Sequence, residues 1–370
     1  MTTALDHQFM GRAIQLARSS IYSPHPNPRV GCVIVQQNEI LAEGWHVYSG
    51  GPHAEVNALS AMSAQREGAT VYVTLEPCSH QGRTPPCADA LIKAGVARVV
   101  IAMKDPNPLV SGRGIQRLLD AGIEICVGVL QEEAEKLNVG FIQRMSTGRP
   151  FVRSKLAMSL DGRTAMSSGE SQWITTPQSR RDVQLLRAGS AAVLTGIGTV
   201  LADDPSLTVR AKEHDLESPC YVEQASQPLR VILDSQLRIP LDAKLLQQPG
   251  ETLIFSCCDD AEKISSLNDA GADVVVLAGD QPALEAVLAE LALRQINEVL
   301  VEAGAILNGQ LVQQGLIDEL VIYMAPVLMG DSAKGLFHLP ALQAMADKYA
   351  WDISDIRAVG KDWRITARPS

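Results

Sequence analysis

Two α/β domains are the fold the sequence predicts, on three observations. The chain has 370 residues, which at roughly 150 residues per domain suggests two. Strand and helix signals alternate along both halves, the pattern of sheets with helices on their faces. Between the halves, Ser146-Thr147-Gly148-Arg149-Pro150 collects the small, Gly and Pro residues of a connection between elements. The expected domains are therefore 1–147 and 148–370.

In the first half, Phe9, Met10, Ala13, Ile14 and Ala17 form an apolar stripe at helical spacing within Asp6 to Ser20. Val30 to Val35 is a β-branched strand, Gln37-Asn38 a turn, and Ile40 to Trp45 a second strand. Ala54 to Met62 reads as helix, Thr70 to Thr74 as strand, and Ala88 to Lys93 as helix stopped by Gly95. Arg98 to Ala102, Ile115 to Asp120 and Ile123 to Val127 follow as strand, helix and strand. In the second half Phe151 to Met158 is a strand, Gln178 to Arg187 a helix and Ala191 to Thr195 a strand. Leu229 to Leu233, Thr252 to Phe255 and Val274 to Leu277 are three more strands. The helix Ala283 to Leu293, strand Glu298 to Val301, helix Ile306 to Gln314 and strand Leu320 to Met324 complete the pattern.

Composition narrows the function. Hydrophobic residues make up 46% and charged residues 20%, so disorder as the main state is excluded. The net charge of −10 and the 4% aromatic content argue against a nucleic-acid binder, which needs a basic surface and stacking rings. No apolar run approaches the roughly 18 residues of a spanning helix. Met1 to Asp6 shows neither the basic nor the apolar region of a secretory signal. A cytoplasmic chain is expected, with no membrane partner. Seven cysteines then read as thiols or metal ligands, not as a disulfide framework.

The first chemistry is carried by Pro52-His53-Ala54-Glu55, opening a helix, and by Glu76-Pro77-Cys78 and Pro86-Cys87 after a strand. His53, Cys78 and Cys87 supply three ligands and leave one tetrahedral position of a zinc ion open, as in catalytic zinc sites. The open position suits a water that the metal acidifies. Glu55, two residues from His53, can take that water's proton and hand it to a leaving amine. Both cysteines are expected at or near helix N-termini, which favour thiolate. This His-x-Glu…Pro-Cys…Cys pattern is the signature of zinc deaminases of nucleobases, but eight residues separate the cysteines here instead of two. A structural zinc with His80 as fourth ligand is the competing reading. Cys32, Cys126, Cys220, Cys257 and Cys258 have no such context and are expected to be buried or free thiols.

The second half carries nucleotide signals. Thr195-Gly196-Ile197-Gly198-Thr199 leaves a strand in a Gly-x-Gly turn, with Leu201 where a dinucleotide fingerprint has its third glycine. A second turn, Val301-Glu302-Ala303-Gly304, opens another helix, whose N–H groups suit a phosphate. Two such turns at strand ends in one domain point to a nucleotide more strongly than either alone. Arg187 and Arg210 can grip a sugar phosphate bidentately, though solvated surface charge is the plainer reading. Lys155, on the first strand, can orient a substrate or polarise an imine.

Pro77-Cys78-Ser79-His80-Gln81-Gly82-Arg83-Thr84-Pro85-Pro86-Cys87 resembles the long cysteine motif of the bifunctional riboflavin-biosynthesis deaminase/reductase family. Pro26-Asn27-Pro28-Arg29-Val30-Gly31 and Gly44-Trp45-His46 are similar to that family's preceding motifs. The resemblance implies a cytidine-deaminase-like three-layer αβα domain followed by a dihydrofolate-reductase-like α/β domain. It implies Zn2+ and NADPH as cofactors. The expected first reaction is hydrolysis of the 2-amino group of a diaminopyrimidinone carrying a 5-phosphoribosylamino group, followed by reduction of the ribosyl group to ribityl. By the family pattern Asn27, His46, His80 and Arg83 line the deaminase pocket: Asn27 and His46 to fix a polar heterocycle, Arg83 to hold its phosphate. In the reductase half, Ser154 to Gly162, Trp173-Ile174-Thr175, Gly196 to Thr199, Leu201 to Arg210 and Val301 to Gly304 carry the resemblance. It assigns Ala157, Trp173, Thr199, Asp203, Ser235, Gly304, Ala305, Ile306, Leu307, Asn308, Gly309 and Gln310 to NADPH. Ser171, Arg187, Leu207, Arg210 and Glu302, with Lys155 beside them, fall to the phosphoribosyl substrate. Ser235 rests on Leu233-Asp234-Ser235 alone, and Ala303 stands where a second glycine is common. A homodimer or homotetramer is implied by the family alone. The resemblance is weakest in 212–227 and after Ala333.

The alternative function is a nucleic-acid-editing zinc deaminase with an accessory domain, which would be retained on heparin at low salt.

Overall fold

The computed structural model describes residues 2–20, 22, 25–62, 67–79, 85–108, 110–210 and 227–370. These fall into two compact units, one reaching to Arg149 and the other starting at Pro150.

The first unit is built on a five-stranded sheet: β1 (Gly31–Gln36), β2 (Glu39–Trp45), β3 (Thr70–Leu75), β4 (Arg98–Met103) and β5 (Glu124–Val127), in the order β2-β1-β3-β4-β5. β1 pairs antiparallel with β2 and β3, whereas β3, β4 and β5 run parallel. Alternate residues face opposite layers. Val33, Val35, Val100 and Ala102 pack against α1 (Ala4–Arg18) and α5 (Gln131–Leu137). Cys32, Ile34, Val71, Val73, Val99 and Ile101 pack against α2 (Ala54–Ala61), α3 (Cys87–Lys93) and α4 (Arg113–Asp120). The expected three-layer αβα arrangement follows from this two-sided burial. α1 starts two residues earlier than the apolar stripe suggests because Thr3 and Asp6 form a reciprocal capping box. The connecting stretch expected at Ser146–Pro150 is shorter in fact: α6 (Val139–Thr147) runs through it and stops at Gly148, whose φ is 74°.

The second unit carries β6 (Phe151–Ser159), β7 (Arg163–Ala165), α7 (Pro177–Ala188), β8 (Ala192–Gly196), α8 (Ile197–Asp203), β9 (Leu229–Leu233), β10 (Thr252–Ser256), α9 (Ala261–Asp269), β11 (Ala272–Val276), α10 (Leu284–Leu293), β12 (Glu298–Val301), α11 (Ala305–Gln313), β13 (Glu319–Ala325), β14 (Lys334–Gly335), β15 (Trp351–Val359) and β16 (Asp362–Pro369). Nine strands form one sheet in the order β11-β10-β9-β8-β12-β6-β13-β16-β15, and β14 pairs with β7. The strands from β11 to β13 are parallel, and the β15–β16 hairpin closes the sheet antiparallel. Leu194, Val231, Leu253, Phe255 and Val299 bury one face under α10 and α11. Val193, Ile232, Ile254 and Leu300 bury the other with Ile197 and Val200 of α8 and Leu267 of α9. α5, α6, α8, α9 and the hairpin were not read from the sequence. Among the described residues no helix is long and apolar enough to cross a membrane.

Candidate active sites

In the first unit the ligand set assembles at the ends of three elements. His53 is the N-cap of α2, and Glu55 lies in its first turn. α2 can approach the sheet there because β2 offers Gly44: a Cβ on it would stand 2.4 Å from Ala58 N and 2.5 Å from Ala54 O. Cys87 is the first residue of α3, and Cys78 follows β3. Cys78 is in a loop, not on a helix, yet its Sγ accepts the Cys87 backbone N–H at 3.3 Å, so α3's N-terminus serves both sulfurs. His53 Nδ1 stands 3.3 Å from Cys87 Sγ and 3.6 Å from Cys78 Sγ. Zinc–nitrogen and zinc–sulfur bonds of about 2.0–2.3 Å at tetrahedral angles give edges of roughly 3.5 Å. Both the donor set and its spacing therefore fit zinc, and among the described residues these three ligands leave a fourth position.

Electrostatics match. A hydrogen bond from the Cys87 thiol, then one from His53, hold the Cys78 thiol down to about 4 against its burial. The same Cys78 contact and burial push the Cys87 thiol up. A metal ion bound there would displace that proton. Glu55 is 3% exposed. Its burial, reinforced by the charge at Cys78, raises its carboxyl to about 7, where it can take and return a proton near neutral pH. Cys32 is fully buried and its thiol is pushed far up by that burial, a core thiol as expected.

Asn27 and His46 join this site. The His46 ring is edge-on to His53 with centroids 5.4 Å apart. Its Nδ1 is 3.0 Å from the Pro52 carbonyl and its Nε2 is 3.0 Å from Asn27 Nδ2. His80 and Arg83 lie outside the described residues, as does Cys220; a role for His80 as fourth ligand is therefore without a geometry. Cys126, Cys257 and Cys258 are free thiols.

In the second unit β8 and β12 are adjacent and parallel, and each ends in a glycine turn that opens a helix, α8 after Gly196 and α11 after Gly304. A Cβ on Gly198 or Gly304 would meet nothing within 4 Å, so a ligand can descend onto both backbones. Two adjacent parallel strands that end in open turns at helix starts suit the phosphates of a dinucleotide. Beside these turns Glu302 takes a bidentate pair from Arg187, with Arg187 Nη2 3.0 Å from Oε2, and Lys155 Nζ is 3.9 Å away. Arg187 Nη1 also donates to the Thr208 carbonyl at 2.9 Å. The plain reading of Arg187 as solvated charge fails: its side chain is 12% exposed. Burial works against ionisation of Glu302, but Arg187, Lys155 and Arg210 outweigh it and keep the carboxylate charged. Burial lowers the Lys155 ammonium. Arg210 is exposed, and its backbone N–H is held by the buried Gln184 at 2.9 Å. Gln227 clamps both polar groups of Val209. These two glutamines carry no signal in the sequence.

The remaining assigned residues are spread along the unit. Ala157 is half-buried on β6, Thr199 and the exposed Asp203 sit on α8, and Ser235 follows β9. Ser171 is half-buried; Trp173 is 69% exposed, with the Arg180 guanidinium 4.4 Å over its ring. Leu207 turns its side chain into the core, which leaves only its backbone for a ligand. Along α11, Gly304 and Ile306 are exposed and Ala305, Leu307 and Gln310 half-buried, but Asn308 and Gly309 are buried. Asn308 ties Ser154 to the Ala303 and Gly304 carbonyls. Gly309 lies where a Cβ would stand 2.1 Å from the His338 carbonyl. Asn308 thus holds the turn in shape, and Gly309 lets the backbone at His338 pack closely against α11.

Both units match known proteins. The family model for the cytidine and deoxycytidylate deaminase zinc-binding region matches residues 3–103, and that for the RibD C-terminal domain matches residues 150–365. The riboflavin biosynthesis protein RibD of Escherichia coli (strain K12) is 51% identical over 367 residues, covering 96% of this chain and 97% of that protein. Its counterpart from Haemophilus influenzae is 48% identical, covering 98% and 97%. The solved structure of Acinetobacter baumannii RibD, form 1, superposes with a TM-score of 0.92 at 46% identity over 99% of both chains. A Thermotoga maritima diaminohydroxyphosphoribosylaminopyrimidine deaminase/5-amino-6-(5-phosphoribosylamino)uracil reductase superposes at 0.87 with 34% identity, again over 99% of each.

Proposed function

The chain belongs to the RibD family, the bifunctional deaminase/reductases of riboflavin biosynthesis, and from that premise we propose which substrates, cofactors and residues it uses. The first domain, about residues 1–147, deaminates 2,5-diamino-6-(5-phosphoribosylamino)pyrimidin-4(3H)-one. Water oxygen replaces the 2-amino group, which leaves as ammonia. The second domain, 148–370, reduces the ribosyl group of the product to ribityl. The observation that carries this reading is the His53–Cys78–Cys87 cluster beside the buried Glu55.

His53, Cys78 and Cys87 hold zinc. Bound there, zinc supplies the Lewis acidity that makes water a nucleophile at neutral pH. Glu55 accepts the proton that water gives up and returns it to the departing amine. Asn27, set by His46, hydrogen-bonds the pyrimidine, and His80 and Arg83 complete the pocket by the family pattern. In the second domain the turns at Gly196 and Gly304 receive NADPH, with Ala157, Trp173, Thr199, Asp203, Ser235 and residues 305–310 around it. When bound, NADPH supplies the hydride. Arg210 holds the substrate phosphate. Arg187 fixes Glu302, and Lys155 and Glu302 together orient the opened sugar, with Ser171 and the Leu207 backbone at its edge. The enzyme works as a cytoplasmic homodimer or homotetramer, without nucleic-acid or membrane partners.

A two-step assay on one sample tests this. The phosphoribosylaminopyrimidine is supplied and ammonia followed; NADPH is then added and its absorbance followed, with a zinc chelator in parallel. Ammonia release abolished by the chelator, then NADPH oxidation that requires the deaminated product, is the expected result. No ammonia from zinc-replete protein would overturn the substrate assignment.

A further inference from the structure

Glu76 stands two residues ahead of Cys78, is 3% exposed, and ligates nothing in the metal cluster. Four backbone N–H groups converge on its carboxylate. Gly112 and Asp105 donate to Oε2 at 3.0 and 3.3 Å, Gly114 and Ile115 to Oε1 at 3.0 and 3.2 Å. Gly112 is the N-cap of α4, and Gly114 and Ile115 lie in its first turn. The helix's orphan donors are thus satisfied by a carboxylate from another element. Contact is as close as backbone allows: a Cβ on Gly114 would stand 1.9 Å from the Pro77 carbonyl oxygen.

A buried carboxylate is costly unless hydrogen-bonded; here the four N–H groups meet that need, and an apolar residue in its place would leave them unpaired. The carboxylate also fixes the segment that follows it. Glu76 anchors one side of Pro77, whose ring fixes its own φ, and Cys78 is the next residue. Cys78 Sγ must meet the Cys87 N–H and the His53 ring at once. We propose that Glu76 is a positioning residue of the metal site, setting Cys78 by seating the Glu76-Pro77-Cys78 segment on the first turn of α4. This rests on the reading of His53, Cys78 and Cys87 as zinc ligands.

The test uses the full chain, stripped of metal and titrated with Co2+, whose thiolate charge-transfer band reports ligation by sulfur. Parent protein lacking that band would overturn the zinc-site reading itself. Given the band, Glu76→Gln keeps the shape but turns an N–H donor toward the donors of the seat. The expected result is Co2+ binding weaker by roughly 10–100-fold with a reduced charge-transfer band. Far-UV circular dichroism and reduction of the deaminated substrate should equal the parent's. Parent-like cobalt affinity and spectrum in Glu76→Gln would overturn the proposal. Should Glu76→Gln lose the parent's circular dichroism, Glu76→Asp, which keeps the charge one methylene short, is read on the same two signals. A parent-like result there overturns it equally.

Discussion

Asn27 Nδ2 stands 3.0 Å from His46 Nε2, and the other ring nitrogen of His46 stands 3.0 Å from the Pro52 carbonyl. A carbonyl only accepts, so Nδ1 carries the hydrogen and Nε2 accepts from the Asn27 amide. Burial keeps His46 neutral by lowering its pKa, which agrees with that tautomer. The Asn27 oxygen is consequently left free for a substrate donor. The two residues act as one unit. Asn27→Ala and His46→Ala should each lower deaminase kcat/KM by about tenfold or more, and the double variant should be little worse than the weaker single. The coupling is about 1–2 kcal/mol. Strictly additive losses in the double-mutant cycle would separate the two.

Glu55→Gln should slow ammonia release by about 10²–10⁴-fold, the range of a lost general acid–base, with zinc content unchanged because Glu55 is not a ligand. The variant should still oxidise NADPH when given the deaminated product. Deamination at the parent rate would remove Glu55 from the chemistry and favour a structural zinc.

Arg187 pairs with Glu302 through two nitrogens and with the Thr208 carbonyl through a third. Lysine cannot reproduce that fork. Arg187→Lys should therefore lower reductase kcat/KM by roughly tenfold or more, about 1.4 kcal/mol, without touching ammonia release. Glu302→Gln leaves Arg187 and Lys155 facing each other around a neutral amide, and should cost the second unit about 3 kcal/mol in denaturant unfolding. An unchanged unfolding midpoint would mean that solvent screens the cluster.

What was legible in the sequence follows from the kind of signal each residue carries. His53, Cys78 and Cys87 stood out because soft ligands are scarce and their order along the chain is chemically restrictive. Glu55 followed from its register with His53. Glu76 did not stand out, because its four partners lie 29 to 39 residues further on and meet it only through the pairing of β3 with β4 and the packing of α4. β15 was missed for a different reason: it is largely exposed on both faces, so no alternation of apolar residues marks it. Leu207, Asn308 and Gly309 carry motif assignments to ligands, and the burial of the Leu207 and Asn308 side chains and of Gly309 is not legible in those motifs. A motif records position along the chain and not the direction of a side chain.

A last prediction concerns acid stability. Asp6 is 1% exposed and accepts from Arg98 through both oxygens, at 2.7 and 3.2 Å, from Tyr72 at 2.9 Å and from the Thr3 backbone at 2.8 Å. The Arg98 hydrogen bonds outweigh burial and hold its carboxyl well below the ordinary value, while burial, and then Asp6, push the Tyr72 phenol up to about 12. A depressed carboxyl contributes stability that is fully present above the unfolded value of about 4 and is lost as pH falls toward the folded value. Asp6→Asn should therefore lower the urea midpoint of the first unit's transition at pH 7 by the equivalent of about 3 kcal/mol. The gap between parent and variant should narrow between pH 4 and pH 2, and the second unit's transition should not move. An equal gap at pH 7 and pH 3 would assign the loss to the amide's shape instead of the missing charge.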